Sequence, residues 1–353
     1  MKIAITADIH LKQNKDEAPE RYNALVNIIK KVKDEKINKL IIAGDLFDKE
    51  AKNYTIFNEL VKINNDITFY VIPGNHDVGL NQRYFTAQNL QIINSPKVLS
   101  FNDNAIKIFL IPYSAGKFMG EILAQNKQRL SEPWVLVGHG DYISGQIKSN
   151  PYEPGTYMPL NGNDIEIYNP VKVILGHIHK RGNIGKVHYV GSPCGLDISE
   201  TGRRYFSILD TENGDITPNE ILTDILYYNE KLIMLPVKDE FGFIEQQIQK
   251  MIKGWSLSDD ELTKVRLRLK INGYTSDLKK LQSIVSDSLK NFIFYNDKEP
   301  DLTEVNVLKD NERIQIIKLV KEAIEQNDKE LGLLQLTQND VMEQSLHIIL
   351  NKA

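Results

Sequence analysis

Five of the seven histidines in this 353-residue chain fall in four short clusters, three of which also hold aspartate or asparagine: Asp8-Ile9-His10, Asn75-His76-Asp77, His139-Gly140-Asp141 and His177-Ile178-His179. A fifth cluster, Gly44-Asp45-Leu46-Phe47-Asp48, adds two carboxylates. Imidazole nitrogens and carboxylate oxygens without a thiolate suit Mn²⁺, Fe²⁺ or Zn²⁺. Two such ions about 4 Å apart can share one carboxylate and clamp the attacking and leaving oxygens of an in-line displacement at phosphorus. In Asp8-x-His10 and His177-x-His179, alternate residues of an extended backbone point the same way, so each pair is expected to face one centre.

Any one of these clusters reads equally well as a polar turn, and a lone strand-end histidine such as His139 is more often a hydrogen-bonded surface residue than a ligand. Their placement argues otherwise. Each follows directly on a short apolar run: Ile3–Ala7, Lys39–Ala43, Ile67–Ile72, Trp134–Val137 and Val171–Leu175. Such runs, rich in β-branched residues, are expected of strands buried on both faces. In open α/β sheets, ligands bind beyond the carboxyl ends of the strands. Gly44, Gly74, Gly138 and Gly176 stand just before four of the clusters, where sharp exits and close backbone approach are needed.

The elements that must carry these strand ends alternate as in an α/β domain. Tyr22, Leu25, Val26, Ile29 and Val32 recur at helical spacing and predict a helix over Glu20–Lys36. Further strands are expected at Ile106–Ile111, Val187–Val190 and Tyr205–Leu209, which calls for a second sheet. Asp210–Asp215, with Asn213-Gly214 inside it, reads as a turn between strands, and Pro218 as a domain edge. Beyond it the pattern restarts: a strand at Leu232–Val237, a helix at Phe241–Ile252, an alternating strand at Val265–Ile271 and a helix at Leu278–Leu289. The tail reads as two helices, Glu312–Gln326 and Gln338–Leu350.

Composition narrows the function. Apolar residues make up 41% and charged residues 25%, ordinary for a globular protein. There is no membrane-length apolar run and no secretory pattern at the N-terminus, and Cys194 is the only cysteine, so a reducing cytoplasm is expected. The net charge of −4 fits poorly with autonomous binding to nucleic acid. Lys180, Arg181, Lys186 and Arg203-Arg204 are the candidate local phosphate contacts; such charges are more often solvated surface. Gly182-Asn183-Ile184-Gly185-Lys186 is too short for a phosphate-binding loop of the ATPase type.

The five clusters, in this order, resemble the signature motifs of the calcineurin-like metallophosphoesterases. The resemblance covers about Met1 to Asp210. It implies a four-layer αββα sandwich with two central sheets. Residue by residue it implies one metal held by Asp8, His10, Asp45 and His179, and a second held by Asn75, His139 and His177 with Asp45 bridging. His76 is then the residue that stabilises the transition state or protonates the leaving oxygen. The nucleophile is a hydroxide held by the two divalent metal ions, which are expected to be Mn²⁺.

Within that superfamily the chain resembles the SbcD-like nuclease subunits of DNA double-strand-break repair and hairpin processing. The resemblance rests on Gly44–Asp48, on Tyr157-Met158-Pro159-Leu160 with Asp164, and on Val190-Gly191-Ser192-Pro193 with Asp197 and Glu200. It implies DNA as substrate, homodimerisation and an SbcC-like coiled-coil ATPase as partner. Archaeal and eukaryotic relatives carry histidine at the place of Asp48, so that part of their chemistry is not implied here. The domains expected are a nuclease domain over residues 1–222, a small α/β capping domain over 223–303 and a helical partner-binding segment over 304–353. In the tail, Ile314, Ile317, Val320, Ile324, Val341, Ile348 and Ile349 either present a partner-binding stripe or pack on one another. The alternative activity is that of a phosphatase or cyclic-nucleotide phosphodiesterase with the same metals and a small substrate.

Overall fold

Strand β1 (Lys2–Thr6) shows how the core is built. Ile3 and Ile5 face one side and Ala4 the other, and all three are fully buried. The same alternation recurs in β2 (Lys39–Ala43), where Ile41 and Ala43 share the side of Ile3, and Leu40 and Ile42 that of Ala4. A strand covered on both faces must be apolar at every position, which explains the unbroken runs in the sequence.

The computed structural model describes the chain apart from residues 50, 52, 102–105, 131–132, 145–154, 236, 308–310, 328–337 and 352–353. It divides into two compact units, residues 1–196 with 203–225, and residues 197–202 with 226–353.

In the first unit, β1 and β2 are joined by helix α1 (Pro19–Asp34), and helix α2 (Thr55–Ile63) leads on to β3 (Thr68–Ile72) and β4 (Leu90–Ile92). These four strands run parallel, each pair linked by the long connection that parallel pairing needs. The second sheet takes β5 (Lys97–Leu99), β6 (Lys107–Ile111), β7 (Trp134–His139), β10 (Lys172–Gly176), β11 (Gly182–Ile184) and β12 (Val187–Tyr189) in the order β11-β12-β10-β7-β6-β5. Helix α3 (Met119–Asn126) lies between β6 and β7, and between β7 and β10 come the short pair β8 (Tyr142–Ile143) and β9 (Leu160–Asn161) and helix α4 (Gly162–Tyr168). Strands β13 (Arg204–Asp210) and β14 (Ile216–Ile221) complete the first sheet in the order β14-β13-β1-β2-β3-β4.

Three buried clusters define four layers. Ile3, Ile41 and Ile72 of the first sheet meet Leu110, Val137 and Ile174 of the second. Leu25, Ile28 and Val32 of α1 and Phe57 of α2 cover the first sheet's other face, and Met119 and Leu123 of α3 with Ile165 of α4 cover that of the second. The fold is α/β with two mixed sheets, as the sequence led us to expect. Helix α1 starts on Pro19, whose fixed φ suits a first helical position, and stops short of the expected Lys36, which has φ +55°. Pro218 is a correction: it is no domain edge but lies within β14, opposite Ser207. β14 is the outermost strand of its sheet, where a missing amide donor is tolerated.

The second unit is a parallel sheet of β15 (Leu226–Met234), β16 (Val265–Thr275), β17 (Ile293–Phe294) and β18 (Asp301–Val307). Helix α5 (Glu240–Gly254) and the short α6 (Asp259–Leu262) lead from β15 to β16, and α7 (Leu278–Leu289) leads on to β17. Ile244 and Ile248 of α5 and Leu281, Val285 and Leu289 of α7 pack on Tyr228, Leu232, Leu267 and Leu269, the even positions of β15 and the odd positions of β16. The tail helices α8 (Asn311–Gln326) and α9 (Gln338–Asn351) meet Ile233 and Leu235 through Ile317, Ile324, Met342 and Leu346. Thus Ile317 and Ile324 are buried within the unit, with Val320 and Val341 packed beside them, whereas Ile316, Leu319 and Ile348 are exposed. Ile314 and Ile349 lie outside the described side chains. Among the described residues, no helix is long and apolar enough to cross a membrane.

Candidate dinuclear metal centre

The five loops meet at the carboxyl ends of β1, β2, β3, β7 and β10. They are knitted by backbone hydrogen bonds: Asp8 N donates to Gly44 O (3.1 Å), and Ile9 N and His10 N both donate to Asp45 O (2.9 and 3.0 Å). Asp77 adds a side-chain clamp, its carboxylate accepting from Gly74 N at 2.7 Å and from Phe47 N at 3.1 Å. The loops after β2 and β3 are thereby fixed to each other.

The way the ligand pairs converge corrects the expectation of an extended backbone. Asp8 (φ +54°), His10 (+51°), Asp45 (+51°) and His177 (+88°) all lie in the left-handed region. Such a conformation costs a non-glycine residue about 1–3 kcal/mol, and it clusters at functional sites. His177 and His179 also do not face one centre. His179 Nε2 is 3.3 Å from His10 Nε2, whereas His177 Nδ1 is 3.1 Å from Asn75 Oδ1.

Two half-sites result. Asp8, His10 and His179 each offer a donor atom within 4.8 Å of the others, and so do Asp8, Asp45 and His139. Asn75 Oδ1 lies 2.9 Å from His139 Nε2 and joins His139 to His177. Asp45 stands between the halves, Oδ2 being 3.4 Å from His139 Nε2 and 3.7 Å from His10 Nε2. His139 Nδ1 is hydrogen-bonded to the carbonyl of Ala43 (2.9 Å), which makes Nδ1 the donor and leaves the Nε2 lone pair for the centre. Asp141 Oδ1 lies 3.6 Å from His177 Nε2, so His177 presents its other nitrogen.

The electrostatics call for cations. Asp8, Asp45 and His139 are essentially buried. Burial pushes the Asp8 carboxyl up to about 6 and the His10 imidazole down to about 3. Burial opposes ionisation of Asp45 too, but His139, His10 and His76 beside it hold its carboxyl below the usual range. His139 in turn is carried up to about 9, the Asp45 and Asp8 carboxylates outweighing its burial. Without metal the site stores protons on nitrogen and oxygen atoms that aim at one another; divalent cations would replace those protons. The donor set therefore fits a pair of divalent ions.

Asn75 and His76 lie side by side, but His76 belongs to neither half-site: its ring packs edge-on against His10 at 4.6 Å, Nδ1 is 3.8 Å from Asp48 Oδ1, and with His10 and Asp48 it makes a further group of donor atoms within 4.8 Å of one another. Asp48 is held by Lys12 (2.9 Å) and Arg21 (3.3 Å), and His76 and Lys12 keep its carboxyl well below the usual range. Lys12 and Arg21 carry no signal in the sequence, because neither belongs to a cluster. Tyr157 could be read only as part of a loop; its ring lies 4.7 Å from that of His177.

The basic residues singled out near the last cluster are mostly engaged elsewhere. Arg204 is buried and donates to the carbonyl of His179 (3.4 Å), Arg203 pairs with Glu220 (3.2 Å) and Lys186 donates to Asn169 (2.7 Å). Arg181 lies over the Tyr205 ring, and Gly182–Lys186 forms the hairpin between β11 and β12.

The profile of the calcineurin-like phosphoesterases matches residues 1–181, half of the chain and all five clusters. The chain belongs to that family. It is a metal-dependent phosphoesterase whose His and Asp side chains make a candidate two-metal centre. Among curated proteins it is 22% identical over 240 residues to the putative phosphoesterase 078R of Invertebrate iridescent virus 3, covering 63% of this chain and 65% of that protein. It is 24% identical over 289 residues to the DNA double-strand break repair protein Mre11 of Nanoarchaeum equitans, covering 70% of this chain and 71% of that one. Among solved structures, TT1561 of Thermus thermophilus is similar with a TM-score of 0.41 at 14% identity, covering 62% of this chain and 98% of its own. A dimetal phosphatase from Danio rerio gives 0.38 at 11% identity, covering 65% and 99%.

Proposed function

We propose that this phosphoesterase is a DNA nuclease of the SbcD-like kind, which hydrolyses phosphodiesters at broken or hairpin ends together with a coiled-coil ATPase. The observation that carries the reading is the similarity to a protein named for double-strand-break repair, which takes in 70% of the chain, a larger share than the first unit supplies. The Gly44–Asp48 and Tyr157–Leu160 stretches support it from the sequence. The second unit would then act as the capping domain. The exposed Ile316, Leu319 and Ile348 of α8 and α9 would be its contribution to the ATPase contact.

In this reading Asp8, His10, Asp45 and His179 would hold one ion, and Asn75, His139 and His177, with Asp45, would hold the second. Two divalent ions there, expected from the resemblance to be Mn²⁺ although the donors suit Fe²⁺ and Zn²⁺ as well, would supply Lewis acidity at the phosphoryl oxygens and activate water. Asn75 and the neighbouring His76 place a neutral amide and an imidazole on the side where the phosphodiester sits. His76 gives a proton to the departing sugar oxygen, and Asp48 keeps its ring in position. Asp141 and Ala43 O fix which nitrogen His177 and His139 present.

A small phosphodiester or phosphomonoester is the second reading. It is favoured by the engagement of Arg203, Arg204 and Lys186 within the protein, which leaves few free cations beside the last cluster to hold a DNA backbone.

The deciding experiment is cleavage of linear and hairpin DNA by the purified chain in Mn²⁺, beside hydrolysis of bis-p-nitrophenyl phosphate, with His76→Ala in parallel. Cleavage of DNA that disappears in the variant supports the nuclease. Turnover of the small ester with no DNA cleavage, even after an SbcC-like ATPase is added, overturns it and leaves the small-substrate reading.

A further inference from the structure

Helices α5 and α7 cover one face of the sheet in the second unit; α8 and α9 pack on the end of the other face at Ile233, and the rest of that face carries a different chemistry. Register places Tyr227 beside Arg266 and Arg266 beside Ile293, and Lys231 beside Lys270 and Lys270 beside Asp301. Asn229 pairs with Arg268, and Tyr295 follows Phe294 onto the same face. Since side chains alternate along a strand, these residues all point away from α5 and α7. Asn229, Lys231 and Arg268 are exposed, and Ile293 is 46% exposed. The Arg268 guanidinium lies 4.9 Å over the Tyr295 ring, and Tyr227 meets Tyr295 edge-on at 5.8 Å.

The acidic residues of this face, Asp301 and Glu304, lie at the Lys270 end, where Glu304 pairs with Lys270. Asp297 follows two residues after Tyr295. Across the rows of Tyr227 and Asn229, the strands carry two arginines and no carboxylate. On a chain of net charge −4 such a row is a local exception. Cations tracking a phosphate backbone, interleaved with aromatic rings on which bases stack, are what a surface for single-stranded nucleic acid needs.

We propose that this sheet face binds single-stranded DNA, with Arg266, Arg268 and Lys231 on phosphates and Tyr295 and Tyr227 under bases. The proposal rests on the nuclease reading for its purpose, but binding can be measured without cleavage. The probe is a fluorescent oligodeoxythymidylate of about 20 nucleotides, titrated with the full chain in EDTA at several salt concentrations. Arg266→Ala/Arg268→Ala is expected to weaken binding about tenfold or more and to make it less dependent on salt, because each lost phosphate contact lowers the slope. Tyr295→Ala is expected to cost about five- to a hundredfold, with Tyr295→Phe retaining most of the affinity. Lys279→Ala, on the exposed side of α7, is the control for a general charge effect. Wild-type affinity in the arginine and tyrosine variants, or an equal loss in Lys279→Ala, overturns the proposal. So does tight binding of the wild type to an acidic peptide but not to the oligonucleotide. Hydrolysis of bis-p-nitrophenyl phosphate in Mn²⁺ should be unchanged in every variant. Binding as expected with no DNA cleavage, even after an SbcC-like ATPase is added, would leave the face standing and sink the nuclease reading.

Discussion

Asp48 Oδ1 lies 3.8 Å from His76 Nδ1, while the other oxygen of the same carboxylate is held by Lys12 at 2.9 Å and Arg21 at 3.3 Å. The two cations fix a negative charge behind one nitrogen of the imidazole, which favours the proton there and leaves the other nitrogen to act toward the substrate. Asp48 thus stands to His76 as an orienting carboxylate, although the two come from loops after different strands.

That relationship separates two effects of substitution. His76→Asn is expected to lower kcat about 10²- to 10⁴-fold on DNA, the range for loss of a positioned acid. The loss should be much smaller on bis-p-nitrophenyl phosphate, because nitrophenolate leaves without help from a proton. Asp48→Asn should follow the same ranking with a smaller loss. Steady-state rates on both substrates, with metal content measured beside them, check this; equal losses on the two substrates would show that His76 does not protonate the leaving oxygen.

Gly44 has φ +93°, and a Cβ built on it would collide with the imidazole of His139; one on Gly74 would collide with the Asp45 carboxylate. Both neighbours belong to the ligand set and are hemmed in by other loops, so neither can yield. Gly44→Ala is expected to cost about 2–4 kcal/mol of stability. It should also lower metal occupancy; Gly116→Ala, which shares a positive φ (+73°) but whose added Cβ meets nothing, should show the backbone strain alone and leave metal occupancy intact. Urea unfolding and metal analysis of the two variants provide the comparison.

Much of this site was legible because a parallel sheet buried on both faces leaves only its strand ends free for chemistry. Asp8, Asp45, Asn75, His139, His177 and His179 each follow such a run, and the structure brings them together. What the spacing could not convey is conformation. The expectation that Asp8 and His10 alternate on extended backbone failed because both sit at positive φ, a state fixed by hydrogen bonds to the loop after β2, more than thirty residues away. Pro218 misled because its meaning depends on whether its strand is an edge, a tertiary fact. Short strands such as β4 and β5 carry too few residues to show a period. In the second unit, the alternation of Val265–Ile271 marks a strand, which the structure extends to Thr275. That the polar half of the pattern forms rows with Tyr227, Asn229 and Tyr295 depends on register, which no single strand encodes.

Asp141 offers a test of how the second half-site is held. Its Oδ1 is 3.6 Å from His177 Nε2, Oδ2 accepts from Tyr157 N at 2.7 Å, and the Tyr157 ring packs on His177. Asp141→Ala is expected to weaken one of two bound ions about 10- to 100-fold, the usual cost of losing a carboxylate behind a ligating imidazole, and to leave the other unchanged. Calorimetric titration of the metal-free protein with Mn²⁺ should then resolve two unequal sites. Two sites weakened alike would place Asp141 outside this role.

Among the described residues, His188 is the buried histidine that stands outside the metal clusters. It lies on β12 in the second sheet, with Nε2 2.7 Å from Ser207 Oγ of β13 in the first and Nδ1 2.6 Å from Asn183 Oδ1. Asn183 Oδ1 accepts the Nδ1 proton, and Ser207 can then donate to the bare Nε2, an arrangement that suits the neutral ring. Burial, with Arg181 and Lys172 nearby, pushes the imidazole down to about 4. The folded value is below that of the unfolded chain, about 6.5, so the neutral ring's contribution is complete above pH 6.5 and is lost as pH falls toward 4. Between pH 7 and 4.5 this one group should remove about 2–3 kcal/mol of stability. His188→Gln keeps a donor and an acceptor without a titrating group, and its stability should therefore fall less over the same interval. Urea unfolding of both proteins at pH 7, 5.5 and 4.5, with EDTA present to silence the metal centre, measures the difference. Parallel acid profiles would mean that the bond between the sheets survives protonation.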